Sequence, residues 1–185
     1  MKRNILAVAF MLLFVSANAN AWTGNANAFL GQKTLDQDDW EPADKQAEFG
    51  VLVDFKQNQW PVSIAIDLLA SVDEVTVLGV NLEASTTEFD VGVRKIWEVE
   101  GSSIRPYIGG GIAFVGAEIK ETSFTSLTFS DNGTGIWLNG GIYWTLGQSF
   151  NLGLDLRYTQ ADVTFFGEDV KAGGTHAGII LGYHW

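Results

Sequence analysis

Eight stretches of this chain alternate apolar and polar residues with a period of two, and no extended stretch repeats at the helical period. In Phe150 to Gln160, FNLGLDLRYTQ, one face carries Phe150, Leu152, Leu154, Leu156 and Tyr158. The other carries Asn151, Gly153, Asp155, Arg157 and Thr159. Successive strand side chains point to opposite faces, so the pattern predicts a strand with one apolar side. Segments near residues 48–55, 62–69, 88–97, 107–114, 136–144 and 176–185 read the same way. A first segment, Gly24 to Lys33, sets Ala26, Ala28 and Leu30 against Asn25, Asn27 and Gly31, with Phe29 on the polar side. After Ala21 no apolar run reaches the roughly 20 residues that a helix needs to cross a bilayer. The fold class is therefore all-β, with eight antiparallel strands.

The connections decide which face meets water. Lys56 to Trp60, Glu98 to Ser102 and Gly147 to Ser149 are short, whereas Leu35 to Lys45, Val72 to Ser85, Lys120 to Gly133 and Asp162 to Gly173 are long. Short and long alternate strictly, as in a transmembrane β-barrel with tight periplasmic turns and longer extracellular loops. A soluble sandwich has no reason to sort its loops by parity. Aromatic residues support the same topology. Phe55, Trp60, Trp97, Trp144, Phe150 and Trp185 fall near the short turns or the C-terminus, at one predicted rim. Phe49, Phe89, Phe114 and Tyr158 fall toward the other. Amphipathic rings favour the headgroup level, so the first set reads as an aromatic girdle. The outward Lys95 sits near the short-turn rim, where it can snorkel.

The first residues add a destination. Lys2 and Arg3 precede the apolar run Ile5 to Val15, and Ala19-Asn20-Ala21 supplies a small-residue cleavage site. Residues 1–21 are expected to be a cleaved signal peptide and residues 22–185 the barrel. The chain has no cysteine, which excludes a disulfide scaffold and a thiolate metal site. A net charge of −11 argues against nucleic acid as a partner.

Arg105-Pro106-Tyr107-Ile108-Gly109-Gly110-Gly111 and the ending Gly178-Ile179-Ile180-Leu181-Gly182-Tyr183-His184-Trp185 resemble motifs of the small outer-membrane β-barrels of the opacity-protein, OmpX and OmpW type. The resemblance covers essentially all of the expected mature chain. It implies residence in the cell outer membrane, among its lipids and lipopolysaccharide, as a monomer. The terminal aromatic is similar to the signal read by the barrel-assembly machinery, although Trp185 stands where phenylalanine is usual. The resemblance specifies fold and destination far better than activity, since such families do unrelated things.

Candidate chemistry lies on the inward face. An eight-stranded barrel is just wide enough for side chains to fill it. The inward charges Asp54, Asp67, Glu88, Asp90, Arg94, Arg105, Asp155 and Arg157 are expected to form a paired polar network, joined by His176 and His184. The alternative is a narrow pathway or ligand site. The loop Leu35 to Lys45 is acidic, with Asp36, Asp38, Asp39, Glu41 and Asp44, but lacks the glycine and terminal glutamate of an EF-hand, so no metal site is assigned. Phe124, Leu127, Phe129, Phe165 and Phe166 read as exposed apolar loop residues. A lipid-modifying enzyme would need His176 with Ser123, Ser126 and Glu168, but Gly178 breaks the His-x-Ser spacing of the lipid A deacylases. The glycine run at 109–111 precedes no helix and is no nucleotide loop. The expected role is non-enzymatic and without cofactor: structural, or interaction at the cell surface. A conduit for small hydrophobic molecules is the alternative, and a lipid A-modifying enzyme the third.

Overall fold

In the computed structural model the described residues are 22–77, 80–122, 126–147, 149–165 and 167–185. The expected signal peptide lies outside them, as do Ser123, Phe124 and Phe166. Eight strands close into one antiparallel barrel: β1 (Trp22–Thr34), β2 (Lys45–Gln57), β3 (Ser63–Val77), β4 (Val80–Ile96), β5 (Ile104–Thr122), β6 (Ser126–Leu146), β7 (Phe150–Gln160) and β10 (Gly174–His184). Each pairs with its sequence neighbour in the barrel, and β1 closes the ring against β10. The seam ends in a reciprocal backbone pair between Gly24 and Trp185, 3.1 Å each way. Closure leaves no open sheet edge in the bilayer, where an unpaired N–H or C=O costs several kcal/mol.

The sidedness is inside-out relative to a soluble protein. Leu154 and Leu156 are 55% and 59% exposed on the outer face, while Asp155 and Arg157 between and beside them are 4% and 2% exposed. Phe29 shows how the odd-numbered face of β1 fits. It points inward, where a Cβ on Gly31 would lie 2.7 Å, and one on Gly178 2.6 Å, from its ring. The two glycines make the floor on which that ring lies, so an aromatic at an inward position needs no change of register.

Two of the four long connections are not loops for most of their length. β3 and β4 stay paired up to Val77 and Val80, and β5 and β6 up to Thr122 and Ser126. The expected loops Val72 to Ser85 and Lys120 to Gly133 are largely strand. Their amphipathic signal fades because the outer face there carries Thr87, Ser85, Glu83, Asn132 and Ser130 instead of apolar residues, while Val72, Val75 and Thr86 keep the β-branched character of a strand. The other two connections fold as well. One holds the short helix α1 (Gln37–Trp40), N-capped by Asp36, and the other the hairpin β8 (Asp162–Phe165) and β9 (Glu168–Lys171).

These two connections close the long-loop rim. Leu35, Trp40 and Ala43 meet Ala161, Val163, Phe165 and Ala172 in one buried apolar cluster over the barrel mouth. Phe129 and Val170 pack against it. Phe129 and Phe165, expected to be exposed, are therefore part of a cap, because folding β8–β9 across the mouth gives them an apolar partner. Leu127 remains outside, 52% exposed.

A closed polar lumen as the candidate functional site

All eight charged residues expected in the lumen are buried, none more than 4% exposed, and they fall into linked tiers. Nearest the short-turn rim, Arg105 donates from Nη2 to Asn25 and Asn151, 2.9 Å each, and from Nε to Thr145 at 2.9 Å. His184 Nδ1 lies 3.3 Å from the same guanidinium.

The middle tier holds most of the charge. Arg94 donates to Asp67 at 2.7 Å and to Asp54 at 3.3 Å. Arg157 bridges Asp67 and Asp90, and its Nε lies 4.0 Å from Asp155. Asp155 accepts from Tyr107 at 2.6 Å and Asn139 at 2.8 Å, and Asp54 accepts from Asn25 at 2.7 Å and Tyr143 at 3.2 Å. Each guanidinium also lies over an aromatic ring: Arg94 over Tyr107, Arg105 over Tyr143, and Arg157 over Trp137 at 4.8 Å. Tyr107 and Tyr143 stack 4.5 Å apart. Gly141 gives Tyr107 its place, because a Cβ there would strike the phenol.

Below the cap, Lys33 donates to Glu88, to Thr86 at 2.9 Å and to the Ala172 carbonyl at 2.9 Å. His176 contacts Glu48 through Nδ1 at 2.8 Å and sits 3.5 Å from Glu88 through Nε2. It is fully buried beneath the cap, because the barrel mouth is covered. Glu168 is exposed on β9 and Ser123 lies outside the described residues, so His176 has no assembled nucleophilic partner among those described.

Sequence reasoning passed over Lys33, Glu48, Tyr107, Tyr143 and Asn25 as members of this network. All five are inward by strict parity with residues already assigned, so the signal was present. It was hidden at Lys33 by the end of the alternating segment and at the tyrosines by their apolar rings.

At the short-turn rim, Trp60, Trp97, Trp144 and Phe150 are exposed and Phe55 and Trp185 half-buried. Trp22 joins them, its ring 5.5 Å from Trp60 and 6.1 Å from Phe55. At the other rim the acidic connection is tied down, not free. Lys171 Nζ donates to Asp36 at 2.8 Å, Lys171 N–H to Asp39 at 2.9 Å, and Trp40 Nε1 to the Lys171 carbonyl at 2.7 Å. Among the described residues no cluster of three or more His, Asp or Glu has metal-holding geometry.

A family profile described as "Outer membrane protein beta-barrel domain" matches residues 5–185. The chain belongs to this family. As an outer-membrane barrel it is similar in fold to Ail, the attachment invasion locus protein of Yersinia pestis, solved with the heparin analogue sucrose octasulfate. The two share 12% identity over 89% of this chain and 99% of that one, with a TM-score of 0.63. Neisserial surface protein A, NspA, is similar at 11% identity, 88% and 94% coverage and TM-score 0.56. OprG of Pseudomonas aeruginosa is similar at 12% identity, 89% and 95% coverage and TM-score 0.54. No curated protein sequence matches the chain. The short connections share one rim of this outer-membrane barrel, and the cap closes the other.

The Asp36–Lys171 pair lies in that cap. The hydrogen bond from the Lys171 ammonium holds the Asp36 carboxyl below its ordinary 3.8, and the same contact raises Lys171 above 10.5. The stabilising contribution is therefore complete between those values. It fades as pH falls through the lowered Asp36 pKa or rises through the raised Lys171 pKa. Both groups are exposed, so the pair adds little to global stability. Lys171→Met is expected to speed amide exchange in β9 while leaving the unfolding midpoint where it was.

Proposed function

We propose that this outer-membrane barrel is a non-conducting, non-enzymatic structural and surface-interaction protein. The observation that carries this reading is the lumen, filled by the Arg94, Arg157, Asp54, Asp67 and Asp90 network and covered outside by the Trp40 and Phe165 cluster. A transport path would have to break buried ion pairs and lift the cap, and removing either sign of charge from such pairs costs several kcal/mol. The conduit reading draws no support from a lumen of this kind. Function then falls to the outside of the molecule: the aromatic rims that seat it at the headgroup level and the paired extensions of β3–β6 above them.

Reconstituted into planar bilayers, the protein is expected to give no discrete conductance steps and no uptake of small hydrophobic probes into vesicles. Regular steps from the pure protein, or probe uptake above that of empty vesicles, would overturn the reading.

A further inference from the structure

The outer face of β7 and β10 carries two cavities that the closed lumen does not account for. The upper, about 460 Å³, opens at the extracellular ends of β1, β7 and β10. It is lined by Tyr158, Thr175, Gln160 and Asp162, together with the Asp36–Lys171 pair. Tyr158 is more than half exposed and stands beside Thr175 in register. The side chains of Thr175, Gln160 and Asp162 have no hydrogen-bond partner among the described residues.

The lower cavity, about 600 Å³, lies on the same two strands one step toward the bilayer centre. Leu156 and Ala177 pair directly below Tyr158 and Thr175, and Leu154 and Ile179 pair below those. Gly140 of β6, opposite Leu156, opens its side. A Cβ on Gly140 would meet nothing nearer than the Tyr107 carbonyl at 3.7 Å, so the space there belongs to the groove and not to packing. The upper is a half-enclosed cleft and the lower a shallow groove open to lipid.

The stacking of a polar cleft on an apolar groove selects an amphipathic occupant aligned with the strands. The chemistry of the upper cleft selects its headgroup. The one ammonium present, Lys171, is already engaged by Asp36, and Asp162 adds negative charge, so a phosphate is poorly matched. A hydroxyl-rich ring suits an amide, a hydroxyl and a carboxylate that all have hydrogen-bonding capacity to spare, with the Tyr158 ring as a flat apolar neighbour. We propose that β7 and β10 hold one glycolipid of the outer leaflet, with its saccharide in the upper cleft and an acyl chain in the lower groove. Tyr158 marks the junction between the two. The site rests on outer-membrane placement with the capped rim facing outward, and does not depend on the lumen being closed.

The test is native mass spectrometry of the detergent-released barrel offered monoglucosyl diacylglycerol, phosphatidylcholine with the same chains, or free glucose. One glycolipid per barrel is expected to be retained, with little phosphatidylcholine and no glucose. Gln160→Ala combined with Asp162→Ala should weaken retention about tenfold through the lost hydrogen bonds. Gly140→Leu should do so by filling the groove, and both variants should keep the heat-modifiable mobility of a folded barrel. Equal retention of phosphatidylcholine, binding of free glucose as strong as that of the lipid, or undiminished retention by the two folded variants would each overturn the proposal. Conductance bears only on the closed lumen, so the two readings fail separately.

Discussion

Arg157→Met is expected to lower the unfolding free energy of the refolded barrel by about 3–5 kcal/mol, the range for removing one partner of a buried ion pair. The guanidinium bridges Asp67 from β3 and Asp90 from β4, strands that face β7 across the lumen, and it packs over Trp137 of β6. Asp67 and Asp90 are direct cross-strand partners, both inward and both 0% exposed. Methionine keeps much of the volume but leaves these carboxylates facing each other without their shared cation. Urea titration followed by tryptophan fluorescence reads the loss. The double variant Arg157→Met, Asp90→Asn separates charge from packing, because it leaves Asp67 paired with Arg94. It should recover part of the stability, since removing both partners of a buried pair costs less than breaking it. An unchanged midpoint for the single variant would remove the lumen network from the account of what holds the barrel together.

What made Asp67, Asp90 and Arg157 readable in advance was parity alone. A strand has only two faces, and once Leu154 and Leu156 were set toward lipid the charges between them had one place to go. The same rule reached eight of the inward charges, though not Lys33 or Glu48, without any knowledge of who pairs with whom. Pairing was not legible, because the shear of the barrel decides which residues of non-adjacent strands share a tier. Arg157 meets Asp67 and Asp90 through that offset, and nothing in the spacing of residues 67, 90 and 157 expresses it. The extracellular side was less legible for a different reason. Above the lipid the outer face no longer needs to be apolar, so β3–β6 continue as strands after their alternation has gone. Trp40 stands alone in one polar connection and Phe165 in a short apolar patch of another, and only the closing of the mouth by α1 and β8–β9 gives them a common core.

Lys33→Met is expected to cost about 3–5 kcal/mol as well, but with a local signature that Arg157→Met lacks. Lys33 is wholly buried, at the top of β1, and it serves two structures at once. Toward the lumen it neutralises Glu88, which also accepts from Thr159 at 3.0 Å. Toward the outside it donates to the carbonyl of Ala172, the residue that returns the β8–β9 hairpin to β10. Trp40 holds the neighbouring Lys171 carbonyl from the other side, so adjacent carbonyls of one segment are gripped by the lumen and by α1. Methionine abolishes both, together with the donation to Thr86. It leaves Glu88 with the His176 ring at 3.5 Å and the Thr159 hydroxyl at 3.0 Å, and Ala172 without its partner inside an apolar cluster. Hydrogen exchange should therefore rise first across residues 167–174, before the barrel strands are affected. Arg157→Met should instead lower protection around the whole ring. If Lys33→Met lowers stability while exchange in 167–174 stays at the wild-type rate, Lys33 is a lumen counter-ion only, and the cap is held by its apolar contacts and Trp40.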